Sequence, residues 1–323
     1  MVGRATVRYF QSIALHEIRS LAYRLYKCQG IDVKTLPGHK TDTMPAIYSN
    51  RRGGQWVTLK LESATIFHIQ LQPLHPIEIS EEAGVRSLHF GSDWVQGAMR
   101  MRSPYALELA YTREMMACLL LRDDADWPRR ALLIGLGAGS LAKFMHRHLA
   151  QTTLTAVDID PRIPRMARLH FHLPDDPRRL KIVIADGAEY VEGRRRKFDL
   201  VLVDGFGPDA RPGRLDTVDF YANCAGLLNQ TGLLVCNLLG RSRGFAASVA
   251  RINKAFAGRS MVFPSCDSGN AIAFGVSGEE VRLTLAEMKT RALALKAATG
   301  LDLRPTISRL QQAHSLPQGQ LIL

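Results

Sequence analysis

Four short segments carry residues of the type and spacing that nucleoside chemistry needs. Gly135-Leu136-Gly137-Ala138-Gly139-Ser140 is a glycine turn of the form GxGxG. It sits between an apolar run and a helical stretch, where the backbone can approach a ligand closely and helix amides point at it. Ser140 stands where a dinucleotide fingerprint would carry its last glycine. A bland alternative is a turn that only packs helix on strand. Asp158, in Val157-Asp158-Ile159-Asp160-Pro161, lies about 20 residues further on, where an acid can accept from ribose hydroxyls. Asp160 competes for that role, although Asp before Pro reads better as a helix cap followed by a first-turn proline. Asp186 and Gly187 follow a third apolar run; the acid can accept from an adenine amine while nearby amides meet ring nitrogens. Asp204 opens Asp204-Gly205-Phe206-Gly207-Pro208-Asp209 after a fourth apolar run, as a further acid of the same site or else as a cap on the loop that follows.

These segments need elements that deliver them to one edge. Apolar runs occur at Ala131–Ile134, Leu154–Val157, Lys181–Ile184, Leu200–Val203 and Leu233–Cys236, separated by helical stretches near 140–149, 161–170, 186–193 and 217–229. Strands alternating with helices of this length predict a parallel sheet covered on both faces. Ser260–Phe263 and Ala271–Val276 are joined by Pro264–Asn270, too short for a parallel crossover, so this pair is expected to be antiparallel. Gly135, Asp158, Asp186 and Asp204 then share the carboxyl edge of the sheet, where open α/β sheets bind ligands. Ahead of the sheet, Ile77–Ser80 and Val85–Phe90 alternate around a turn at 81–84 and predict a hairpin. Residues 104–121 show helical spacing behind Ser103-Pro104, and Leu283–Thr299 with Gly300 reads as a surface helix. The expected fold is α/β: a doubly wound, mostly parallel Rossmann-like sheet ending in an antiparallel hairpin, with a small N-terminal β-hairpin unit. The expected divisions are a basic extension over 1–75, the hairpin unit and connecting helix over 76–121, the nucleoside-binding domain over 122–278 and a helical tail over 279–323.

Composition narrows the partners. Of 323 residues 46% are apolar and 22% charged, which excludes collagen, coiled coil and wholesale disorder. No apolar run approaches the roughly 20 residues of a membrane span. The net charge of +12 invites a nucleic-acid reading, but half of that excess lies in residues 1–75. There, residues 5–27 could form a basic amphipathic helix, Arg-rich as transit peptides are but interrupted by Glu17, and 28–56 read as loop or disorder. Arg194-Arg195-Arg196-Lys197 reads as a solvated loop, so nucleic acid is not an expected partner. Five cysteines without a CxxC pair argue against a disulfide framework or structural zinc and suit a reducing, cytoplasmic setting. His146 and His148 have no partners at metal spacing, so no metal is expected.

The motifs over roughly residues 77–276 resemble those of the spermidine synthase family of polyamine aminopropyltransferases, whose sheet ends in the same kind of hairpin. The family's GGGDGG is matched by Gly135 to Ser140, its VEID by Val157 to Asp160, its GDA or GDG by Ala185-Asp186-Gly187 and its DSSDP by Asp204 to Pro208. Its EFY is matched by Asp219-Phe220-Tyr221 and its DGxxQ by Ser92-Asp93-Trp94-Val95-Gln96 together with Gly91. The resemblance implies that Gln96, Asp158 and Asp186, with the glycines 135, 137, 139 and 187, hold the nucleoside, and that Asp204 is the catalytic base. It implies decarboxylated S-adenosylmethionine as co-substrate, a small amine such as putrescine as acceptor, no tightly bound cofactor, and allows a homodimer. The departures are Ala138 and Gly207, where the family carries Asp, and Ser103 to Met116, where Tyr111 and Glu114 only loosely echo the family's DE-x-x-Y-x-E-x-L. Asp93, Asp209 and Asp267 are candidates for the far ammonium of a diamine. Loss of acid at Ala138 opens a methyltransferase alternative using ordinary S-adenosylmethionine. A nucleoside-binding interaction module without catalysis is the third reading.

Overall fold

The computed structural model describes residues 76–92, 94–207, 211–265, 269–312 and 319–323, with short strands at 7–8, 56–59 and 67–70. The expected helix over 5–27 therefore lies outside the described residues. Two compact units divide the chain, one over 8–77 and one over 78–323 with 1–7. In the first, strands β2 (Trp56–Leu59) and β3 (Phe67–Gln70) pair antiparallel. In the second, a four-stranded sheet runs in the order β1 (Val7–Arg8), β4 (Ile77–Glu82), β5 (Val85–Phe90), β6 (Gly97–Arg100). Its β4–β5 turn is Ala83-Gly84, both at positive φ, the conformation a two-residue hairpin loop demands.

The main sheet has seven strands: β7 (Arg130–Ile134), β8 (Thr153–Asp158), β9 (Leu180–Ile184), β10 (Phe198–Val203), β11 (Leu228–Leu239), β12 (Ser260–Pro264) and β13 (Asn270–Val276). Their spatial order is β12-β13-β11-β10-β7-β8-β9. The five strands from β7 to β11 are parallel, and β13 is antiparallel to both β11 and β12. This is the expected doubly wound sheet with its closing hairpin. Helices α2 (Ser140–His148), α3 (Arg162–Phe171), α4 (Gly187–Val191), α5 (Val218–Leu227) and α6 (Phe245–Ala255) connect the strands. Covering both faces leaves the central strands no solvated side, so β10 is buried along its whole length and reads as an unbroken apolar run apart from Asp199. Asp199 is satisfied locally, accepting from the amides of Arg129 and Arg130. Leu132, Val201 and Leu234 fill the middle of the core without exposure; truncating either leucine to Ala would cost about 2–5 kcal/mol.

Three local expectations need correction. The helix expected from 104 begins at Ala110 (α1, Ala110–Met115) and continues as a 3-10 turn to Leu120. Arg113 donates to the carbonyls of Leu107 and Glu108, the acceptors a longer helix would use, and Leu109 is extended. Helix α6 was not foreseen; it opens at Gly244 without a side-chain cap. Beyond α7 (Leu285–Thr299), which has a full Thr284/Glu287 capping box and Gly300 in the left-handed region, the tail adds α8 (Arg304–Gln312). Its last strand, β15 (Gln320–Ile322), pairs with β14 (Arg282–Thr284). Among the described residues no helix is long and apolar enough to cross a membrane.

Candidate active site

The chain leaves β7 outward to β8 and β9, then returns to β10 on the other side of β7. That reversal makes a crevice at the carboxyl ends of β7 and β10, where ligands of open α/β sheets bind. Ile134 pairs with Val203, so Gly135 and Asp204 emerge side by side. The Asp204 amide donates to the Ile134 carbonyl at 2.8 Å. A Cβ on Gly135 would fall 2.1 Å from the Asp204 carbonyl oxygen, and Gly135 has φ +89°, so no other residue fits this crossing. Gly137 and Gly139 are also at positive φ, and Gly139 leads directly into α2.

A cleft opens here, lined by Gln96, Gly97, Tyr111, Thr112, Leu133, Gly135, Leu136, Gly137, Ala138, Ser140, Leu141 and Asp204. One wall comes from β6. A Cβ on Gly97 would lie 2.6 Å from that of Ala138, and Ser140 Oγ donates to the Ala98 carbonyl at 3.2 Å, so the hairpin sheet seats tightly on the glycine loop. Asp204 is the cleft's carboxylate. Tyr111 donates its hydroxyl to Asp204 Oδ2 at 3.3 Å, and Asn237 donates from Nδ2 to Oδ1 at 2.9 Å. Burial pushes the Asp204 carboxyl up from 3.8 to about 6, against the pull of those two hydrogen bonds. Burial and the Asp204 charge hold the Tyr111 hydroxyl well above its ordinary value, so it remains a donor.

The other strand-end acids face backbone. Asp158 accepts from the Leu136 amide at 2.9 Å with Oδ2 and from the Asp160 amide at 3.0 Å with Oδ1. It does not line the cleft; it holds the glycine loop, and burial raises its carboxyl above the ordinary value. Asp160 accepts from the Arg162 amide at 2.9 Å and pairs with the Arg162 guanidinium, the helix-start role expected of it, although the helix begins one residue later than the Asp-Pro pattern suggests. Asp186 caps α4 through the amides of Ala188 (2.7 Å) and Glu189 (3.4 Å), and its second oxygen meets Arg214 at 2.9 Å. Gly187 packs on Ile134, where a Cβ would lie 2.4 Å from a methyl group.

The structure thus brings Gln96, Gly135, Gly137 and Asp204 into one cleft, with Gly139 and Asp158 directly behind its loop and Asp186 and Gly187 at the next strand end. Asp93, Asp209 and Asp267 lie outside the described residues. Sequence reasoning undervalued Tyr111 and missed Asn237. The signal for Tyr111 was its near-match to a tyrosine motif; for Asn237 it was an amide closing an otherwise apolar strand. Arg194 to Lys197 form the exposed loop expected of them, with Arg194 and Arg196 over the rings of Tyr190 and Phe198 at 3.6 and 6.0 Å. His146 also has a carboxylate partner, Asp176, at 3.0 Å, which helix spacing could not reveal. Cys118, Cys224 and Cys236 are buried thiols.

Comparison with known proteins agrees with this geometry. The family described as "Spermine/spermidine synthase domain" matches residues 108–240. A polyamine aminopropyltransferase of Chromobacterium violaceum is 34% identical over 253 residues, 78% of this chain and 96% of that protein. A probable spermidine synthase of Corynebacterium glutamicum superposes with TM-score 0.58 at 23% identity, over 71% of this chain and 86% of its own. Human methyltransferase-like protein 13, solved in complex with SAH, superposes with TM-score 0.53 at 25% identity, over 59% and 93% respectively.

Proposed function

The chain belongs to the spermine/spermidine synthase family of polyamine aminopropyltransferases, and from that premise we propose that it moves an aminopropyl group from decarboxylated S-adenosylmethionine to a polyamine such as putrescine. The carrying observation is Asp204 at the switch point of the sheet, held by Tyr111 and Asn237 beside the glycine loop. In the reaction, an amine nitrogen uses its lone pair to attack the methylene carbon bound to the sulfonium sulfur. The carbon–sulfur bond breaks, its electrons neutralise the sulfur, and 5′-methylthioadenosine leaves. Asp204 takes the proton that the acceptor ammonium must lose to free that lone pair, and the product nitrogen, with one bond more, keeps its other two hydrogens and the positive charge.

The obstacle is the ammonium. An alkylammonium ionises near pH 10.4, as lysine does, so freeing its lone pair at neutral pH costs about 4–5 kcal/mol. A carboxyl raised to about 6 is a stronger base than an ordinary aspartate and is still mostly ionised at neutral pH. The Tyr111 and Asn237 donors fix where its lone pairs point. Gln96, the glycine loop and Asp186 hold the nucleoside. Asp158, behind the loop, takes a ribose hydroxyl: a carboxylate offers about four lone-pair sites, and the amides of Leu136, Gly137 and Asp160 use three of them.

One observation favours a second reading, methyl transfer from ordinary S-adenosylmethionine. Of the described lining residues only Asp204 carries a carboxylate, and Ala138 sits tight against Gly97 where an acid would otherwise face the cleft. A decarboxylated donor brings a sulfonium and an uncompensated ammonium; the ordinary donor offsets that ammonium with its own carboxylate. Incubation with each donor and a panel of diamines, read by mass spectrometry, decides between them. Aminopropylated amine is the expected product. Methylated amine would replace the first reading with the second, and no product with either donor would leave a nucleoside-binding module.

A further inference from the structure

Asp204, when ionised, can only accept hydrogen bonds. Asn237 must therefore face it with its NH2 group, as it does at 2.9 Å, which turns the Asn237 carbonyl the other way, into the sheet. Asn237 is 5% exposed, so that carbonyl needs a protein donor, and Asn270 supplies it: Asn270 Nδ2 donates to Asn237 Oδ1 at 2.7 Å. The two residues come from neighbouring antiparallel strands, Asn270 standing opposite Leu239, two residues beyond Asn237.

Resting on the aminopropyl-transfer reading above, we infer that Asn270 is a positioning residue for Asp204, locking the Asn237 amide so that a donor and never an acceptor faces the base. The chain Asn270 to Asn237 to Asp204 has one workable direction. If Asn237 turned over, two oxygens would face each other unless Asp204 took up a proton and donated it, and a protonated Asp204 cannot receive one from the amine. Neutral amides thus favour the working form of the base without placing a cation beside a cationic substrate. Other groups near Asp204 do not set its state. Tyr111 on α1 is a neutral donor, and the Cys236 thiol on β11 is pushed up to about 12, chiefly by burial, so it also stays protonated. Asp216 lies one step further off, bonded to Tyr221, whose hydroxyl reaches Cys236.

Two substitutions separate this role from packing. Asn270→Asp keeps the shape but cannot donate, and draws the Asn237 NH2 group away from Asp204. Asn270→Ala removes the donor without adding charge. Carbon-13 NMR of carboxyl-labelled Asp, with Asp204 identified by its loss in Asp204→Asn, reads the titration whether or not transfer occurs. The wild-type midpoint is expected at about 6. It should rise by about one pH unit in Asn270→Asp and by a smaller measurable amount in Asn270→Ala. The acid limb of kcat/KM should move with it, so that activity lost at low pH returns at higher pH, while 5′-methylthioadenosine binding reports an intact fold. An unchanged midpoint in both variants would overturn the assignment. So would a rise in Asn270→Asp alone, which would be the field of the added charge. A moved midpoint without any aminopropyl product would keep the positioning role and remove the reading it rests on.

Discussion

At the end of β8 Asp158 turns both oxygens toward backbone N–H groups, and at the end of β9 Asp186 gives one oxygen to the α4 amides and the other to Arg214; at the end of β10, among the described residues, Asp204 accepts only from the side chains of Tyr111 and Asn237. The three positions look alike as sequence, each an acid closing an apolar strand. Their surroundings assign different work. An acid bound by amides fixes a turn, and its hydrogen bonds go with the chain fold. An acid bound by side chains, with no cation beside it among the described residues and burial raising it to about 6, is left with basicity to use. Sheet topology makes the distinction, because only Asp204 lies across the switch point from the glycine loop.

Asp204→Asn should produce the largest effect. Loss of a general base slows transfer by about 10²–10⁴-fold, with nucleoside binding retained in calorimetry. Stability should move the other way. Folding raises the Asp204 carboxyl above its ordinary 3.8, so its stabilising contribution is complete below that value and is lost as pH rises through about 6. The Asn variant should therefore melt higher than wild type near pH ~8, with the gain vanishing by pH ~4. A variant that turned over at the wild-type rate would erase the difference between the two kinds of acid.

Asp158→Ala comes next and should lose on both counts. It leaves the Leu136, Gly137 and Asp160 amides without their acceptor, a cost of at least about 1–3 kcal/mol visible as a lower Tm. It should also weaken 5′-methylthioadenosine binding by at least about tenfold, or 1.4 kcal/mol. Unchanged calorimetric affinity would remove Asp158 from the nucleoside site and leave it a loop anchor only.

Arg214→Ala should be the smallest. Arg214 bridges Asp186 and Glu189 from a side chain 58% exposed, and exposed pairs contribute about 0–1 kcal/mol. Asp186 keeps its cap on α4 in the variant, so stability should hardly change in thermal melts. A large loss would mean that Asp186 depends on its ion pair rather than on its amides.

How much of this could be read beforehand follows from the range of the interactions. Gly135, Asp158 and Asp204 were legible because each stands where an apolar run meets a turn, a pattern local to a few residues. The antiparallel closing hairpin was legible because the seven residues Pro264–Asn270 are too few for a crossover. Tyr111 lies 93 residues from Asp204 and Asn237 lies 33 away, so their meeting depends on strand order and on where α1 starts. That start was misplaced because the Arg113 guanidinium occupies the carbonyls of Leu107 and Glu108, a competition no helical periodicity records. Helix α6 has no capping side chain to announce it, and β14 finds β15 across an intervening pair of helices.

The central claim, that Asp204 is the base and its carboxyl is raised by burial, is tested most directly by the pH dependence of kcat/KM for aminopropyl transfer. The account predicts an acid limb near 6 in the wild-type enzyme that disappears, together with most of the activity, in Asp204→Asn. A limb at the ordinary aspartate value, or the same limb surviving in the variant, would contradict it.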